Sequence, residues 1–255
     1  MKKKALITAL TSIALTGALC VGFASCDKGG DDARDLEGET ITKEVWDAAI
    51  REDAFENFKL EYDASYISEK TQGESTVTTT QSAKAAYVYA EKKTYAKGTN
   101  EIKYSGVPEG EQEDYQDESE EIEYYLDESG SGEYGKCIVR VDGIWTDLEL
   151  NSENYSNYVS AKSAVDFFIN EQLPSKNFED YEYSETHKGY VAKQTEEGKL
   201  IVVKFKNGKL RALYVEEKDE ETYGEEEEQY TRKRTETGNY LFTFGGQSVM
   251  LPVVV

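Results

Sequence analysis

An α+β fold, with one antiparallel sheet packed on helices gathered at one face, is the architecture this sequence predicts, and three observations predict it. Alternating stretches rich in tyrosine, valine and threonine recur from residue 58 to residue 244. Two-residue turn signals, Asp142-Gly143 and Asn207-Gly208, separate pairs of such stretches. Residues 42–50 and 160–173 carry apolar side chains at helical spacing.

Residues 1–25 form an export signal: Lys2, Lys3 and Lys4 precede an apolar run that closes on Gly22, Ala24 and Ser25. Cleavage before Cys26 suggests a bacterial lipoprotein, although Phe23 stands where the lipobox usually has leucine. Cys20 follows the large Leu19 and reads as part of the discarded run. Two acyl chains on Cys26 would hold the protein stably on the membrane, where a single chain is marginal. An uncleaved span over residues 5–24 is the alternative, and it too leaves the domain anchored and extracytoplasmic.

Residues 26–39 are rich in glycine and aspartate without apolar periodicity and read as a flexible tether, followed by a single domain over 40–255. Thr42 is an expected N-cap, and Val45, Trp46, Ala49 and Ile50 form the apolar stripe of a short helix. Strands are expected at 58–62, 76–80 and 85–95, with Gly73 at a turn. The acidic stretch 109–128 reads as a loop, and 134–141 with 144–150 flank the Asp142-Gly143 turn. Residues 160–173 form an amphipathic helix through Ala161, Ala164, Val165, Phe168 and Ile169, which Pro174 stops. The hairpin around Asn207-Gly208 is expected to oppose Phe205 to Leu210, Val203 to Ala212 and Ile201 to Tyr214 on one apolar face, with Lys204 and Arg211 on the other. A last strand covers 240–244.

Composition excludes several functions. The three lysines of residues 1–25 come off a total of 29 basic residues while all 51 acids remain, so the formal charge moves from −22 to −25. Such a chain repels a nucleic-acid duplex and favours solubility as a monomer. Cys137 lies in an apolar strand stretch and reads as a small buried hydrophobe. His187 is the only histidine, in a turn-like Thr186-His187-Lys188-Gly189, so neither a Ser-His-acid triad nor a His/Cys zinc site is expected. Residues 130–135 match GxGxxG in letters but lead into a strand, so no helix N-terminus awaits a pyrophosphate. The reading is therefore non-enzymatic, without metal or cofactor. Acidic stretches at 109–128 and 216–228 leave weak Ca²⁺ binding as an alternative.

The order of parts resembles the LolA/LppX-like lipoproteins, especially those of Firmicutes. The resemblance rests on the lipobox, tether, Trp46 helix, tyrosine-rich strands, amphipathic helix, Asn207-Gly208 hairpin and the closing Tyr240-x-Phe242-x-Phe244-Gly245-Gly246-x-Ser248-Val249-x-Leu251-Pro252. It implies a curved antiparallel sheet wrapped as a half-barrel around a few helices. It also implies an acylated Cys26 and an apolar hollow for a lipid or other hydrophobic small molecule. Ile201, Val203, Phe205, Leu210, Ala212 and Tyr214 would line that hollow from the sheet, and Trp46, Val165, Phe168 and Ile169 from the helices. The same ten side chains would equally serve as a dry core. Two functions stay open: carriage of a hydrophobic ligand, and a surface module binding a protein, wall polymer or Ca²⁺ through tyrosine-rich strands and acidic loops.

Overall fold

Long strands dominate the computed structural model, which describes residues 32–130, 134–152, 154–224 and 229–254. The export signal, Cys26 and the centre of the GxGxxG stretch lie outside the described residues. The first six strands are β1 (Asn57–Gln72), β2 (Ser75–Ala90), β3 (Lys93–Ser105), β4 (Glu118–Asp127), β5 (Lys136–Val141) and β6 (Ile144–Leu148). Five more follow as β7 (Tyr181–Ser184), β8 (Gly189–Ala192), β9 (Lys199–Lys206), β10 (Lys209–Tyr223) and β11 (Tyr230–Phe244). Together they make one antiparallel sheet in the order β6-β5-β4-β3-β2-β1-β11-β10-β9-β8-β7. The chain meanders from β1 out to one edge, crosses to the other edge, and meanders back until β11 closes against β1 over fourteen paired positions.

The expected α+β class is overturned by this sheet. Among the described residues only two α-helices occur, α1 (Lys43–Ala49) and α2 (Ala161–Gln172), and the protein is nearly all-β. The reason is that β1, β10 and β11 run on far past their apolar ends. Asp63 to Gln72, Glu216 to Tyr223 and Tyr230 to Asn239 are polar on both faces, so periodicity marks them as loops. Their backbone groups are nevertheless paired strand to strand. The acidic stretch expected as a loop over 109–128 contains β4. The run expected as one strand over 85–95 breaks at Glu91 and Lys92, which take φ of 54° and 59° in a tight turn without glycine.

The hairpin turns at Asp142-Gly143 and Asn207-Gly208 form as expected, all four residues having positive φ. The register beyond the second turn does not. Phe205 opposes Leu210, but a bulge at Arg211 then sets Val203 opposite Leu213 and Ile201 opposite Val215. One inserted residue turns the following side chains to the other face, so Ala212 and Tyr214 leave the face that Ile201 and Val203 occupy.

Helix α2 lies in the crossover and covers the inner face. Ser160 caps it by accepting a hydrogen bond from the Ser163 amide at 3.2 Å, and Ala161, Ala164, Val165, Phe168 and Ile169 are buried as one stripe. Trp46 of α1 anchors the other end of the core. Its ring packs on Tyr181 at 4.6 Å and Phe205 at 5.1 Å between centroids, and its indole N–H donates to the Lys176 carbonyl at 2.8 Å.

The outer face of β9 and β10 is covered by residues 32–39, the second half of the stretch read as a tether. Ala33 is fully buried against Val202, Ala212 and Tyr214. Lys204 is 1 % exposed, and its ammonium donates to the carbonyls of Arg34 at 2.6 Å and Leu36 at 2.7 Å. Gly38 and Glu39 then donate backbone hydrogen bonds to the carbonyls of Lys188 and Phe205. Lys204 therefore clasps the incoming chain, and burial lowers its pKa while Asp35 opposes that shift.

Candidate functional site

The ten side chains expected around a hollow are divided between two clusters. Trp46, Val165, Phe168, Ile169, Ile201, Val203, Phe205 and Leu210 join the main core, each 5 % exposed or less. Ala212 and Tyr214 lie across the sheet, beneath residues 33–36. The eight fill the space between sheet and helices. An open cleft of about 520 Å³ does run between the two helices, above Val165 and Ile169. Its rim is charged by Asp47, Arg51 and Lys162, the last paired to Glu56 at 2.7 Å.

A second concavity begins where α2 ends. Because β1, β2, β10 and β11 continue past the helix, the inner face is uncovered there, and a groove of about 250 Å³ opens beside Phe167, Glu171 and Gln172. Its floor follows from the register. Val215, Gly238, Ala64 and Ala83 stand in one row across four strands, and three of the four are glycine or alanine. A Cβ on Gly238 would lie 2.9 Å from the Tyr240 ring, so glycine is what lets that ring fold over the floor. Tyr240 is in turn stacked on Tyr62 at 5.3 Å, which forms the groove's aromatic wall, and packs tilted against Phe168 at 4.7 Å behind it.

The next row outward is polar: Lys199, Glu217, Glu236, Tyr66 and Gln81, on β9, β10, β11, β1 and β2 in turn. Lys199 pairs with Glu217 at 2.9 Å. The Tyr66 hydroxyl accepts from Arg232 at 2.6 Å, and Arg234 forms a two-pronged ion pair with Asp219 one row further out. Glu236 directly opposes Glu217, and among the described residues no hydrogen bond or ion pair reaches its carboxylate. Burial, and then the Glu217 charge, raise the Glu236 carboxyl above its ordinary value. Gln81 is 8 % exposed; its amide N–H contacts the Asn100 carbonyl oxygen at 3.4 Å, and its own Oε1 has no partner. Glu236 and Gln81 thus lie on one side of the small-residue floor with Tyr66 between them in the row, the Gln81 Oε1 enclosed and Arg234, Lys199 and Arg232 opposing the rise at Glu236.

The outer face carries a contrasting cluster. Glu123 accepts from the Tyr95 hydroxyl at 2.7 Å and from Arg140 at 2.8 Å, with Lys97 at 3.5 Å. Burial alone would raise this carboxyl, but those two hydrogen bonds and the Lys97 charge outweigh it and hold it below its ordinary value. Tyr125 and Trp145 pack around it with ring centroids 5.1 Å apart.

Cys137 is fully buried, and burial pushes its thiol up to about 12, which leaves it protonated and unreactive. His187 sits in the turn between β7 and β8, its amide donating to the Ser184 hydroxyl at 3.3 Å. Among the described residues no three His, Cys, Asp or Glu side chains group closely enough to hold a metal ion. Sequence reasoning did not reach Gln81, Glu236 or the floor. Gly238 within a strand, in register with Ala64 and Ala83, is the signal that would have found them.

No family model and no curated protein matches the chain. Among solved structures it is similar to Neisserial surface protein A, at 7 % identity and a TM-score of 0.23 over 72 % of this chain and 96 % of that one. It is also similar to a DUF1329 family protein from Desulfovibrio piger, at 10 % identity and a TM-score of 0.19 over 81 % of this chain and 94 % of that one. The resemblance to LolA/LppX-like lipoproteins accordingly rests on the order of parts in the sequence.

Proposed function

We propose that the chain is an extracytoplasmic lipoprotein, held on a bacterial membrane through Cys26, whose sheet domain is a non-enzymatic binding module rather than a lipid carrier. The observation that carries this reading is the filled core: the eight inner-face side chains that would line a hollow are packed against one another. A lipid chain needs a continuous apolar cavity, and protein interiors packed to crystal density leave none. What the domain offers instead is the polar-rimmed groove beyond α2. The chain leaves the sheet's outer face at Asp32, six positions after Cys26. At ~3.5 Å per residue the body lies within roughly 20 Å of the acylated cysteine.

The test is mass spectrometry on full-length chain extracted from membranes, both intact and after organic extraction. A diacylated or triacylated N-terminal Cys26 with no stoichiometric second lipid is the expected result. An N-terminus at Met1 would remove the lipoprotein part, and a co-purified lipid at one per chain would reinstate the carrier.

A further inference from the structure

We propose that the free edge of the sheet at β6 takes up an extended peptide as an added strand, and that this peptide alternates basic and aliphatic residues. The surface is separate from the groove beyond α2, and it stands whether or not Cys26 is acylated.

Two independent observations point to such a partner. The first lies in the backbone. Strand β6 forms one end of the sheet and pairs with β5 alone. A two-residue turn makes its flanking residues, Val141 and Ile144, a hydrogen-bonded pair, so Thr146 and Leu148 also bond back to β5. The N–H and C=O groups of Trp145 and Asp147 then point away from the sheet, where no described strand meets them. Natural edges are blunted by lysine, proline, a bulge or a covering segment, and β6 carries neither lysine nor proline. The opposite edge differs: β7 has four residues, with Trp46 packed on Tyr181 and the Tyr183 hydroxyl donating to the Gly38 carbonyl. The second observation is apolar exposure. Val141 and Ile144 oppose each other on the core-facing side of the hairpin, 54 % and 62 % exposed. An aliphatic side chain on a strand added beside β6 would lie against Ile144 and cover it.

The side chains of β6 set the partner's pattern. On the inner face Ile144, Thr146 and Leu148 favour aliphatic neighbours, and on the outer face the Trp145 ring and Asp147 favour cations. Arg140 already approaches that ring from β5 at 5.8 Å, and Lys136 takes one side of Asp147 at 2.9 Å. Residues 141–149 hold Asp142, Asp147 and Glu149 and no basic residue, in a chain of formal charge −22. A second copy would bring the same acids to the edge, so charge selects a basic peptide over a dimer. Main-chain pairing then supplies affinity and the alternating side chains supply specificity.

Titration calorimetry of the full-length chain in nonionic detergent micelles, with the capped hexapeptide Lys-Val-Lys-Val-Lys-Val, tests the proposal. Antiparallel pairing with the valines inward turns the lysine N–H groups toward β6 and the valine N–H groups away. Saturable one-to-one binding is expected, weakened about tenfold or more by N-methylation of the lysine amides, the worth of the lost hydrogen bonds. N-methylation of the valine amides, at the same charge, should leave it nearly unchanged. Asp147→Pro removes an outward N–H and no bond to β5, and should weaken binding as strongly as lysine methylation, whereas Asp147→Asn should retain most of it. Absence of saturable heat, equal affinity of the two methylated peptides, or full binding by Asp147→Pro would each overturn the site, as would a dimer that forms through this edge without peptide in sedimentation. The methylated pair reads the unaltered protein, so it decides the matter even where Asp147→Pro melts early.

Discussion

Glu123, buried, and Glu236, half-buried, are carboxylates on opposite faces of one sheet, and the fold treats them in opposite ways. Around Glu123 the strands β3, β4 and β5 bring a hydroxyl, a guanidinium and an ammonium into reach. Around Glu236 the same kind of strand register brings another carboxylate. The Glu123 cluster is closed, its donors and acceptors matched, so it stiffens the outer face and asks for nothing further. The groove side is matched less well: Glu236 faces Glu217 across the strands without a hydrogen bond, and Arg234, Lys199 and Arg232 act on it only through their charge.

The largest expected effect lies on the closed side. Glu123→Ala removes the acceptor of Tyr95 and Arg140 and the counter-charge of Lys97, and should cost about 1–3 kcal/mol in urea denaturation. A change within error would break the comparison, because Glu123 would then be as dispensable as Glu236.

The pH dependence should separate the two next, and with opposite sign. Glu123 is depressed in the folded state, so its stabilisation is fully present above the ordinary 4.5 and is lost as pH falls through the lower folded value. Glu236 is raised, so its penalty is present at neutral pH and is relieved as pH falls through the raised value toward 4.5. Glu217, Lys199, Arg232 and Arg234 face it and shape that shift. Denaturation midpoints of wild type and Glu236→Gln should therefore converge on acidification toward pH 4.5, whereas wild type and Glu123→Ala should converge only below it. Parallel curves for both variants would show that the carboxylates are equivalent.

The smallest effect is on the open side. Glu236→Gln removes a like-charge cross-strand pair and should stabilise the free protein by about 0.2–1 kcal/mol. Measured in the same urea series, a destabilisation of that size would mean that Glu236 has an internal partner and that the groove is closed after all.

Much of the local structure was legible from residues alone. Asn207-Gly208 and Asp142-Gly143 turn where they should because both positions of such a turn need positive φ, which these residues take at little cost. Ser160, the five-residue apolar stripe and Pro174 delimit α2 to within a residue. The turn at Glu91-Lys92 carries no such signal, since two charged residues with positive φ are held there by the long pairing of β2 with β3.

The sequence by itself determined the two glycine turns and the stripe of α2, because each depends on neighbours a few positions away. Tertiary structure alone decided three things: the extent of the sheet, the faces of Ala212 and Tyr214, and the row that joins Glu217, Glu236, Tyr66 and Gln81. Those depend on strand register between segments far apart in the chain, as Phe58 paired with Phe244 shows. Polar strands wet on both faces leave no period to read, and a single bulged residue at Arg211 reverses every side chain beyond it.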